Sequence, residues 1–323
     1  MSERIAVPAA VTVRGAAHAV IARQAREMRR QARLVAKDGG SEAVHDLRVA
    51  TRRLRAALAV FRGVAAVPRA ARRGRLRWLA RRLGRVRDLD VQLVLLEGQY
   101  LPRVAGGEAA RLTELVAGLA KERKRAQRRL RRGLRRTRFR RLRGALAAWS
   151  RKPAFVAGAG EDGAARFMAE AADRAAQRVS GREAMREPRP SAAALHDLRI
   201  AVKWLRYTLD FHGETCGLAY EAERALARDL QDCLGELRDH DALVATLKDG
   251  GGAAWPQLTA RITEGRQRLW RRFLELRRRW HERTRPAQAV AAFEEPRFVN
   301  LEVTPVQLRL VTPRKSVAAR IRA

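Results

Sequence analysis

The chain has 323 residues, with 69 Lys or Arg against 34 Asp or Glu and a formal net charge of +35. Such a field attracts polyanions and repels cations, which argues against cationic substrates or partners. Cys216 and Cys233 are too few for a disulfide framework and read as small core residues. No run of about 20 apolar residues offers a membrane span. The opening stretch MSERIAVPAAVTVRG lacks the apolar centre of a secretory signal, so a cytoplasmic protein is expected.

Helix signals dominate the chain. Ala16–Lys37 places Val20, Ile21, Ala25, Met28, Ala32 and Val35 near one face and stops at Asp38-Gly39-Gly40. Ser41 is a candidate N-cap for a second helix, with Val44, Leu47, Thr51, Leu54, Leu58 and Phe61 at spacings of three and four. Pro68 marks a break. Leu76, Leu79, Leu83 and Val86 carry a third helix, with Arg73, Arg77 and Arg81 opposite them. Arg87-Asp88-Leu89-Asp90 reads as a turn capped by an Asp before Val91–Gln99. Gly106-Gly107 opens one long helix to about Trp149, and Arg151–Gly163 is the seam between halves. The second half repeats the scheme as Ala165–Arg182, Ser191–Gly213, Glu221–Leu237, Asp241–Lys248 and Thr259–Arg283. No strand is expected before Pro286. The alternation over 298–311 has a strand-like period, but an isolated hairpin is marginal in water, so a disordered or partner-docking tail is expected.

The two halves share more than a helix count. V-HDLRVATRRLR at 44–55 returns as L-HDLRIAVKWLR at 195–206, an offset of 151. At the same offset Leu83, Gly84, Arg87, Asp88 and Asp90 return as Leu234, Gly235, Arg238, Asp239 and Asp241. Identities held in one register point to an internal duplication. Each half then forms a bundle of about four helices. With Val44 at zero and about 100° per residue, Leu47, Thr51, Leu54, Leu58 and Phe61 fall between about 260° and 340°. His45, Arg48, Arg52 and Arg55 fall between about 20° and 100°, beside the apolar stripe rather than opposite it. His196, Arg199, Lys203 and Arg206 take the equivalent places. A bordering stripe can line a groove between bundles, although long Arg stems also snorkel there without any function.

The fourth helix adds charge. Lys121–Arg143 holds 14 basic residues and one acid, Glu122. Side-by-side arginines repel unless an anion sits among them, so this segment expects a polyanionic ligand. Arg128, Arg131 and Arg135 are candidate contacts there. Arg268 and Arg271, beside Arg266 and Arg272, are candidates on the weaker counterpart Thr259–Trp280. Arg matches phosphate oxygens with a planar, permanently charged fork.

The paired H-D-L-R-[VI]-A-x-[RK]-x-L-R stretches, each followed by L-G-x-x-R-D-x-D, closely resemble CHAD domains, the conserved histidine α-helical domains. The resemblance covers about 16–283. It implies an all-α fold of two four-helix bundles (15–152 and 153–285) related by a pseudo-two-fold axis, with a basic central channel that binds inorganic polyphosphate. Residues 1–14 and 286–323 lie outside the bundles. The family's motif cations carry over to His45, Arg48, Arg52, Arg55 and Arg87, and to His196, Arg199, Lys203, Arg206 and Arg238. No Glu-x-Glu-x-Lys strand of a fused triphosphate-tunnel module is present.

Three functions are weighed. The first is a polyphosphate-binding scaffold or targeting module, associated with polyphosphate granules, with no cofactor or metal. The second is a non-specific nucleic-acid binder, which salt-sensitive phosphate contacts would support; against it, aromatic residues are 5% of the chain and form no stacking platform. The third is a phosphohydrolase using His45-Asp46 or His196-Asp197 on a metal. Neighbours on a helix diverge by about 100°, and no Walker loop, zincin motif or Cys/His spacing accompanies them. Asp88, Asp90, Asp239 and Asp241 are expected to cap helices and to hold Arg87 and Arg238.

Overall fold

Periodic apolar spacing translates into helices that pack by burying that face. The computed structural model describes residues 11–37, 40–71, 73–217, 220–249 and 255–284. The alternating stretch at 298–311 lies outside them. Among the described residues the helices are α1 (Val13–Lys37), α2 (Ser41–Val60), α3 (Arg73–Leu93), α4 (Gly106–Arg135), α5 (Thr137–Arg151), α6 (Ala164–Ser180), α7 (Ala192–Cys216), α8 (Glu221–Asp249) and α9 (Pro256–Thr284). No strand appears among the described residues beyond two isolated bridges, Thr12 with Gly163 and Ala65 with Phe155. None of the described helices is long and apolar enough to cross a membrane. Starts repeat along the chain: Val13 and Ala164, like Ser41 and Ala192, stand 151 positions apart.

Three buried clusters hold these helices. The first joins α1, α2, α3 and α5 around Ile21, Met28, Leu47, Leu54, Phe61 and Leu79, and takes in Tyr207 and Phe211 from α7. The second joins α6 to α9 around Leu198, Leu205, Leu230, Phe273 and Trp280. Cys233 belongs to it, its Sγ 3.3 Å from the Leu269 carbonyl, and burial pushes its thiol up to about 11. The third is shared between halves, with Leu96, Tyr100 and Leu112 against Leu243, Leu258 and Ile262. Tyr207, Phe211 and this shared cluster tie the halves into a single unit.

Four local expectations fail. Ser41 is the first residue of α2 and does not cap it; Gly40 holds that place without a side-chain bond. In the second half Ser191 does cap, accepting from the Ala194 amide at 3.1 Å. The long helix from Gly106 is broken at Arg136, whose backbone is extended (φ −72°, ψ 153°). The break lets α4 pack on α3 while α5 packs on α1. Just before it, Gly133 sits against the Trp78 ring, where a Cβ would come within 3.2 Å.

The expected turns at 87–90 and 238–241 are absent. α3 runs through the first to Leu93 and continues as a π-helical stretch, Val94–Tyr100, while α8 runs unbroken through the second. An Asp ends a helix when its carboxylate takes its own backbone amides. Here neighbouring helices occupy those carboxylates: Arg123 donates to Asp90 at 2.8 Å and Arg266 to Asp241 at 2.9 Å. Asp88 accepts from Arg238 at 3.3 Å, so one expected holder of Arg238 lies in the opposite half.

The halves also exchange caps. Glu108, buried near the start of α4, accepts from the Leu258 amide at 2.7 Å and the Gln257 amide at 3.1 Å at the start of α9. Gln257 Oε1 in turn accepts from the Ala105 amide at 3.1 Å. Helix amides left without acceptors are costly when buried. Glu108→Ala is therefore expected to cost about 2 kcal/mol, with Glu108→Gln costing less, as read by denaturant unfolding.

Candidate phosphate-binding site

The apolar stripe of α2 fixes the site. Leu47, Thr51 and Leu54 point into the first core, which turns the bordering cations toward α7, and α2 and α7 pack against one another. α3 and α8 meet beside them. The motif cations of both halves then form one connected group.

Arg48 is held down to about 10, first by burial and then by the field of Arg52, with Arg199 and Arg238 adding to it and Asp88 opposing. Arg199 is lowered by burial and by Arg238 and Arg52, again against Asp239 and Asp88. Lys203 falls to about 8 through burial and the fields of Arg199, Arg55, Arg52 and Arg48. Every direction is that of cations crowded out of water. The two acids within the group, Asp88 and Asp239, are the repeat-equivalents of one another. Burial raises Asp239, in spite of Arg238. Arg238 contacts both, at 3.3 Å and 3.2 Å.

The donors are incompletely used. Nε of Arg52, Arg199 and Arg206 is buried with no hydrogen-bond acceptor. Buried N–H groups are normally paired, and those of a charged group most of all. The Arg206 guanidinium lies over the Tyr207 ring at 5.1 Å and the Lys203 ammonium over Trp204 at 5.9 Å. These contacts orient the cations without neutralising them.

Two cavities flank the group. One of about 700 Å³, between α2, α7 and α8, is lined by His45, Arg52, Arg206, Arg224 and Arg228. The other, of about 460 Å³, lies between α3, its π-helical extension, α8 and α9, and is lined by Arg87, Arg268, Arg272 and Asp239. Burial lowers His45, and Arg87 and Arg52 lower it further, which favours the neutral ring. Asp46 does not share this cavity: its carboxylate accepts from Gln31 on α1 at 3.3 Å and faces a third cavity on the far side of α2.

Of the sequence candidates, His45, Arg48, Arg52, Arg55, Arg87, Arg199, Lys203, Arg206 and Arg238 fall within this group or its cavities, and Arg268 joins at the α9 side. His196 is exposed in the first turns of α7. Arg128 and Arg135 are exposed on α4. Arg131 donates to the Lys37 carbonyl and so anchors the end of α1. Arg271 is exposed on α9. Arg87 lines its cavity without a bond to Asp88 or Asp90.

Sequence reading missed Arg53. It lies about 180° round the α2 wheel, outside both stripes. There it bonds Asp210 at 3.0 Å and Glu214, with its guanidinium 5.5 Å from the Phe211 ring. Arg224 and Arg228 were also missed, since the motif does not extend to them. No sequence signal marks the two; only the packing of α8 on α7 does.

Comparison with known proteins agrees with this architecture. Over 86% of this chain and 95% of the other, the fold matches the crystal structure of the CHAD domain from the plant Ricinus communis, with 27% identity and a TM-score of 0.65. It also matches PptA from Streptomyces chartreusis at 18% identity and a TM-score of 0.63, over 84% of this chain and 98% of that one, a likeness of fold alone. No curated protein sequence matches significantly. The CHAD domain family model matches residues 19–248. Motif, fold and family model coincide over most of its length, and the chain belongs to the CHAD family.

Proposed function

We propose that this protein binds inorganic polyphosphate in a basic channel formed between two duplicated helical bundles, and that it serves as a scaffold or targeting module in the cytoplasm, at polyphosphate granules. One observation carries the reading: Arg48, Arg52, Arg55, Arg199, Lys203 and Arg238, drawn from both halves, are crowded together with Asp88 and Asp239 as the acids among them. Anions are the missing partner of such a group. A polymer that engages both stripes gains effective concentration for the second contact. CHAD domains are a family associated with polyphosphate.

Support for binding without cleavage comes from the placement of His45 and Asp46, which line different cavities. Neutral His45 is suited to donate a hydrogen bond. His45→Gln is expected to weaken binding modestly, and His196→Gln, at an exposed position, to weaken it less. The protein should release no phosphate from polyphosphate with Mg²⁺ or Mn²⁺; metal-dependent release lost in these variants would overturn the reading.

The main test is competition between long-chain polyphosphate, orthophosphate and duplex DNA at physiological salt. Polyphosphate should bind far more tightly than orthophosphate and displace DNA. Replacing Arg48, Arg52 and Arg55 with Ala should cost about as much affinity as replacing Arg199, Lys203 and Arg206. The exposed set Arg77, Arg81 and Arg178 should cost much less. Equal losses from all three sets would mean diffuse electrostatics, and stronger binding of DNA would favour a nucleic-acid partner.

Lys203 supplies a pH signature. In the free protein it sits near 8 against an ordinary 10.5, so between these values the unfolded chain binds more protons. The stability of the free protein should therefore rise with pH across that window. A bound polyanion favours the ammonium, so polyphosphate affinity should fall as pH rises from about 7 to about 9, with proton uptake on binding in that range. Lys203→Arg should flatten the affinity profile, which titration calorimetry in two buffers would read directly.

A further inference from the structure

A further cavity lies away from the motif cations, on the face of α2 that carries Asp46, Ala50 and Arg53. It has a volume of about 1020 Å³ and is framed by α1, α2, α5 and the end of α7. Seven arginines line it against three carboxylates, Glu27, Asp46 and Glu214. All three carboxylates are already engaged. Arg30 and Gln31 hold Glu27 at 2.9 Å and 2.8 Å, Gln31 also holds Asp46, and Arg53 and Arg23 both bond Glu214. Arg26, Arg29 and Arg33 of α1 and Arg143 of α5 are left with no hydrogen bond or ion pair among the described residues. Their mutual repulsion is visible at Arg29, which is lowered by burial and then by Arg33, Arg26, Arg151 and Arg143.

This groove is not isolated. Val49, Arg53 and Glu214 line both it and the cavity of His45, Arg52 and Arg206. The Arg53–Glu214 ion pair stands at the common wall. A phosphate arriving there can replace Glu214 as the acceptor for Arg53, since a carboxylate and a phosphate oxygen compete for the same fork. No aromatic residue lines the groove, so it has no platform on which bases could stack.

We propose that the α1–α5 groove is a second phosphate-polymer subsite, which receives the stretch of a polyphosphate chain that passes Arg53 out of the motif cavity. The proposal rests on the polyphosphate reading above. It adds cations from α1 and α5 that the motif does not contain, and it predicts that chain length matters: a short oligomer occupies the motif cavity, while a long polymer reaches both.

The test compares wild type with the variant Arg26→Ala/Arg29→Ala/Arg143→Ala, using tripolyphosphate and long-chain polyphosphate over a range of salt. Affinity for the long polymer should drop about ten-fold, and its log–log salt slope should fall by about 2, by analogy with single-stranded nucleic acid. Tripolyphosphate affinity should not change. Arg143→Glu, a single exposed substitution, should act in the same direction and guards against misfolding of the triple variant. Wild type that fails to bind long polyphosphate would sink the functional reading and this one together. Wild type that binds it, with both variants indistinguishable from it, would overturn the subsite alone. Variants that keep the polymer but lose duplex DNA would assign the groove to nucleic acid and overturn it equally.

Discussion

Repulsion among buried cations is the constraint around which this molecule is organised. Two unit charges about 4 Å apart interact by about 4 kcal/mol at a surface-like dielectric, and here motif cations from four helices share one region. They are kept there by apolar packing on the reverse side. Leu47 and Leu54 of α2, with Tyr207 and Phe211 of α7, bury into the first core, so the helices cannot rotate their arginines out to water without exposing that core. Hydrophobic burial therefore holds an electrostatically unfavourable arrangement in place, and an anion relieves it. The core alone holds these cations together, with no further rearrangement of the helices.

The acids in and around the site act as spacers. Asp88 and Asp239 stand between the arginines of α2, α7 and α8, and Asp90 and Asp241 tie α4 to α3 and α9 to α8 through Arg123 and Arg266. The same Asp-x-Asp spacing recurs in both halves, and in each the second Asp bonds an arginine on the fourth helix of its own half. The first Asp behaves differently. Asp88 reaches across to Arg238, while Asp239 stays with its neighbour Arg238 and is raised by burial. The same Asp-x-Asp letters thus carry an asymmetric charge pattern, with both first acids gathered on Arg238.

Much of this was legible in the sequence. Helical periodicity places α1, α2, α6, α7 and α9 within a few residues, and the 151-residue offset pairs the motif cations from the letters alone. What escaped was set by tertiary contacts. The break at Arg136 carries only a faint local signal, Gly133 and Thr137 in an otherwise strongly helix-forming Lys121–Arg143 run. It arises because one straight helix cannot lie on both α3 and α1. Asp-rich segments read as caps when isolated, and only the arrival of Arg123, Arg238 and Arg266 from other helices converts them into mid-helix ion-pair partners. His196 shows how identical letters meet different surroundings: the motif copies match in sequence, but the second begins where α7 is exposed.

Arg53 shows why a helical wheel drawn for one helix underestimates a binding surface. A wheel divides residues into inward and outward, yet α2 has three environments: the first core, the motif cavity, and the groove toward α1 and α5. Arg53 lies on the boundary between the last two, held by Glu214 and Asp210 and packed on Tyr207 and Phe211. An arginine so placed is preorganised, and its partners are carboxylates that a phosphate can replace without loss of hydrogen-bond geometry. Arginines that enclose a linear polymer need such intermediate positions, because a chain of phosphates presents charge on every side. Cations confined to one stripe would contact only one edge of it. Arginine is distributed over two faces of α2, on α7 and on α8, and that spread suits the elongated, base-free anion proposed as its ligand.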